Sequence, residues 1–142
     1  MALRFVLTGL LTAVVNLVAH ALTYFLLLAR VFAEYPGGSA SLQQQLVKRD
    51  LVLWALGVSA LAFGFLITTV VQWSGARNGA EGLRIGAIVG LLLWGGVNFG
   101  LYASSNNFSL VGTLADLICS SSCVTLSAGV AAAMLHRRHG SR

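Results

Sequence analysis

The sequence predicts an all-α fold, an integral membrane four-helix bundle with both termini on the cytoplasmic side (N-in/C-in). Three observations carry that expectation. Charged residues are only 9% of the 142, against 57% hydrophobic, whereas a soluble domain carries about a quarter charged residues. Mean hydropathy is +0.83, which describes a surface that water does not tolerate. Four apolar runs, at about 5–28, 51–73, 85–102 and 110–135, come close to or exceed the roughly 20 residues a helix needs to cross the hydrocarbon core. Apolar and polar residues do not alternate within these runs, which argues against a transmembrane barrel. The single proline, Pro36, lies outside all four, so an unbroken helix can satisfy its own backbone in each. The spans consume most of the chain and make one transmembrane domain over 1–142.

The first span begins with Met1-Ala2-Leu3-Arg4 and passes through Ala19-His20-Ala21, imitating a secretory signal with its A-x-A cleavage site. The apolar run continues through Leu22 to Leu28 and is too long for a signal, so it is retained as a span. Within it Thr12, Asn16, His20 and Thr23 fall at spacings of three and four, one polar stripe on an apolar helix.

The outward loop, 31–50, opens with Phe32, Tyr35 and Pro36-Gly37-Gly38, a composition suited to an interfacial turn. Ser39 or Ser41 then caps a helical extension over about 40–50 that runs into the second span. Its glutamines, Gln43 to Gln45, read either as a solvated helical entry, which is favoured, or as a partner-binding face.

The third span carries Gly82, Gly86 and Gly90 at spacings of four, and Gly96 and Gly100 repeat that spacing. Such G-x-x-x-G faces let helix backbones approach closely. Packing against the chain's own helices is favoured over dimerisation. The fourth span contains Asp116, the only acidic residue inside a span, followed by Cys119, Ser120, Cys123 and Ser127 on the same face.

The loops give the orientation. Arg4, Arg77, Arg84, Arg137, Arg138 and Arg142 fall on one side and Arg30, Lys48 and Arg49 on the other, so the positive-inside rule places both termini in the cytoplasm. The net charge of +5 therefore reads as topology and contact with anionic lipid, and its scatter excludes a nucleic-acid surface.

Polar residues are costly in a membrane and tend to turn inward and be functional. If the stripes converge, Asp116, His20, Asn16 and Asn98 form one candidate intramembrane polar site, with His20 and Asp116 the closest in depth. Two readings stand: a titrating proton or cation site, and hydrogen-bonded glue between helices, which is favoured. Cys119 and Cys123 are spaced C-x-x-x-C, neither a redox motif nor a zinc pattern. Ser120, Ser121 and Ser122 have no evident base except His20, so no catalytic group and no metal site is expected, and the chain does not read as an enzyme. The sequence names no cofactor and leaves open a bound pigment, quinone or lipid.

The stretch Gly82-Leu83-Arg84-Ile85-Gly86-Ala87-Ile88-Val89-Gly90-Leu91-Leu92-Leu93-Trp94, then Asn98, then Leu114-Ala115-Asp116-Leu117-Ile118, resembles small four-helix bacterial membrane proteins of a domain-of-unknown-function family, mainly over residues 82–135. The resemblance implies a multi-pass protein of a bacterial inner membrane and brings no activity. This chain departs from it at Cys119-Ser120-Ser121-Ser122-Cys123, where bulkier aromatic residues are usual. The expected function is that of a structural or accessory subunit in a larger membrane assembly, with a membrane protein partner or a homo-oligomer as its contact. The alternative is a small oligomeric transporter or channel using the polar site.

Overall fold

A computed structural model describes residues 2–38, 52–106 and 108–136. Four helices, α1 (Ala2–Glu34), α2 (Leu53–Trp73), α3 (Gly79–Ser104) and α4 (Leu110–Leu135), are each long and apolar enough to cross a membrane. No strand occurs among the described residues. The predicted extension over 40–50 lies outside the described residues, apart from which two helices are longer than the apolar runs suggest. The loop expected from residue 31 begins later, because helix-compatible Ala29–Glu34 carries α1 on to the Pro36-Gly37-Gly38 break. The third helix starts at Gly79 rather than near 85. Asn78 accepts from the Glu81 backbone N–H (2.9 Å) and donates through Nδ2 to Glu81 Oε1 (2.9 Å), while Glu81 Oε2 accepts from the Arg77 N–H (2.7 Å). That reciprocal cap extends the helix into polar sequence.

Neighbouring helices run antiparallel. Phe5 meets Phe65 and Ala13 meets Gly64 across α1–α2. Gly82 meets Ala132 and Gly90 meets Ser121 across α3–α4, and Asn16 meets Ser127 across α1–α4. The helix α4 packs against all three others, α1 packs on α2, and α2 barely reaches α3, while the backbones of α1 and α3 stay apart. The sequence of α4 explains its position. Its inward residues are small: Ser120, Ser121, Cys123, Ser127, Ala128, Ala131 and Ala132 are all buried, which lets three neighbours close around it. Half of its most apolar window is buried, against 17% for α3. Ser109 caps its start, accepting from the Gly112 N–H (3.0 Å) while its hydroxyl donates to Tyr35 O (2.7 Å) and so ties it to the end of α1.

Near its C-terminal end α1 contains a π turn, Tyr24–Leu28, closed by the Ala29 N–H donating to Tyr24 O. An α-helix turns 100° per residue, so inward positions at spacings of four drift by about 40° each step. The π turn absorbs one additional residue and rotates the remainder back. Leu28 is thereby buried and Phe32 lies over Gly112 of α4.

Trp54 and Trp73, 75% and 83% exposed, stand at opposite ends of α2. Nineteen residues separate them, about 28 Å of helical rise, which matches the hydrocarbon thickness of roughly 30 Å with tryptophans at both interfaces. Phe63, midway along α2, marks mid-membrane depth.

Candidate functional site

Both polar stripes turn inward. On α1, Thr8, Thr12 and Asn16 are buried and His20 is half-buried; on α4, Thr113, Ser120 and Ser127 are buried. They meet at three levels rather than in one cluster.

Nearest the start of α4, Asn98 Nδ2 of α3 donates to Asp116 Oδ2 (2.7 Å), and the Ser120 hydroxyl donates to Asp116 Oδ1 (3.0 Å). Both carboxylate oxygens are thus engaged. One level deeper, Thr23 Oγ1 lies 3.4 Å from Cys123 Sγ. Below that, the Ser127 hydroxyl donates to Cys123 O of its own helix (2.8 Å) and reaches Asn16 Oδ1 (3.3 Å).

His20 belongs to the deeper levels. Its Nδ1 lies 2.9 Å from the backbone carbonyl of Asn16. A carbonyl can only accept, so Nδ1 carries the proton and Nε2 of the neutral ring is an acceptor. Asp116 is not its partner, contrary to the pairing expected from depth. The bonds of Asp116 go to Asn98 and Ser120, and His20 Nε2 is buried without a hydrogen bond among the described residues. Two features explain the separation. His20 stands level with Cys123 and Ser127, at least seven residues, about 10 Å, along α4 from Asp116. Asn98, which occupies the carboxylate, is on α3, a helix whose backbone stays away from that of α1, the two meeting through the rings of His20 and Trp94.

The glycines divide as well. Gly82, Gly86 and Gly90 lie against α4 so closely that a Cβ would come within 2.5 Å of Ala132 Cβ, 2.6 Å of Ala128 Cβ and 2.9 Å of Ser121 O, respectively. Gly96 and Gly100 do not continue that packing. A Cβ there would meet nothing within 4 Å among the described residues. The reason is phase. Continuing from Gly90 in steps of four gives Trp94 and Asn98, both turned inward, whereas Gly96 follows Gly90 by six and falls on the opposite, exposed side of α3.

Where α2 and α3 separate, a cleft of about 170 Å³ opens between them, lined by Asn16 and His20 of α1, Ser59, Ala60 and Phe63 of α2, and Trp94 of α3. The ring of Trp94 lies parallel to Phe63, with centroids 5.9 Å apart, and tilted against His20, 5.7 Å apart. Trp94 Nε1 is buried and, like His20 Nε2, has no hydrogen-bond partner among the described residues.

No family model, curated protein or solved structure matches this chain. The site is therefore read from its own geometry. Among the described residues, no three His, Cys, Asp or Glu side chains converge as metal ligands would. The Asp116 level is a carboxylate held by two neutral donors, and the cleft is an aromatic recess. The sequence reading did not identify Trp94, Phe63 or Ser59 as site residues. One signal was present: Trp94 stands on the same row of four as Gly82, Gly86, Gly90 and Asn98, the row that faces the bundle.

Proposed function

We propose that this chain is a non-catalytic, multi-pass inner-membrane protein that serves as a structural or accessory subunit of a larger membrane protein assembly. Its intramembrane polar residues stabilise the bundle, and its partner docks on the outer face of α3. The observation that carries this reading is the second glycine pair. Gly96 and Gly100 form a G-x-x-x-G row that none of the described helices uses, beside Leu92 and Phe99, which are 73% and 44% exposed. Such a row allows close backbone approach by another helix. The paired state of Asp116 supports the same reading, since one oxygen ties α4 to α3 through Asn98 and the other is taken by Ser120 of its own helix. The loop charges favour cytoplasmic termini, with Arg77 and Arg84 beside the α2–α3 turn at the same end of the bundle as the start of α1.

The test is gentle solubilisation of native membranes followed by sizing and mass spectrometry of what travels with the chain. Co-migration in an assembly of fixed stoichiometry is expected, and it is expected to be lost in the Gly96→Leu/Gly100→Leu double variant while that variant stays folded. A wild-type chain that runs as a bare monomer would overturn the proposal.

A further inference from the structure

We draw no further inference here: the strongest candidate, the apolar recess between α2 and α3 bordered by His20, Phe63 and Trp94, carries none, because nothing in the structure shows what covers it.

Discussion

Gly90 and Trp94 are successive members of one row on α3, yet they border opposite kinds of structure. Below Gly90 the helix lies on α4 with almost no space between backbones, whereas at Trp94 a wide ring stacks on Phe63 of α2 and borders a cleft. The lesson is that closeness in this bundle is set residue by residue. Without a hydrophobic drive between helices in lipid, the approach depends on van der Waals fit, so the same row can make a seam in one turn and a recess in the next.

The seam breaks most easily. Gly86→Leu would place a side chain where Ala128 Cβ and Thr125 Cα would stand 2.6 and 2.8 Å from its first carbon. Backbone on α4 cannot yield as a flexible side chain can, so the substitution should cost about 3 kcal/mol or more, read as loss of the unfolding transition in SDS-titrated mixed micelles. Gly96→Leu, on the open side of the same helix, should leave that transition within about 0.5 kcal/mol of wild type. Equal effects at the two positions would contradict the phase argument.

Asp116→Ala should rank next. It strands the Asn98 amide and the Ser120 hydroxyl, at a cost of about 1–3 kcal/mol in the same titration. If Asp116→Ala were neutral, the upper end of the α3–α4 seam would owe its stability to the glycine row alone. Smaller again is Ser127→Ala. Its bond to Asn16 Oδ1 is long at 3.3 Å, with the proton shared with Cys123 O, and interhelical hydrogen bonds in membranes average about 0.6 kcal/mol. At the cleft, Ser59→Ala at the exposed rim should change stability by less than about 0.5 kcal/mol, which would separate a recess from a seam.

Much of this arrangement is legible in the residues. Four long apolar runs specify four helices, and the spacings of Thr12, Asn16 and His20, and of Ser120, Cys123 and Ser127, specify which faces turn inward because a polar side chain is costly in lipid. Asn98 and Asp116 are recognisable as candidates for the same reason, and they bond to each other. The pairing of His20 with Asp116 is not legible, since depth along two helices says nothing about whether a third helix stands between them, and α3 takes the carboxylate. Gly96 and Gly100 illustrate a different limit. Their spacing repeats that of Gly82, Gly86 and Gly90, and only the six-residue step between the two groups shows that they face the other way. The cleft is the least legible part, because periodicity reports faces and not gaps. Helix ends are intermediate: the Asn78–Glu81 cap can be found in sequence, whereas the π turn at Tyr24–Leu28 has no comparable signature.

The central place of α4 also bears on how the molecule is made. Chains enter a membrane from the N-terminus, and the helix that touches every other is the last to arrive. Before it does, α1 and α2 can pair through Ala13 and Gly64, but α3 has almost nothing to hold. Its glycine row, with Gly82, Gly86 and Gly90 awaiting Ala132, Ala128 and Ser121, is for that interval an open adhesive strip in the bilayer. Biogenesis therefore carries a timed hazard. A ribosome pausing between Ser104 and Leu110 would prolong the exposure of that strip to other nascent helices, and rapid completion of α4 closes it.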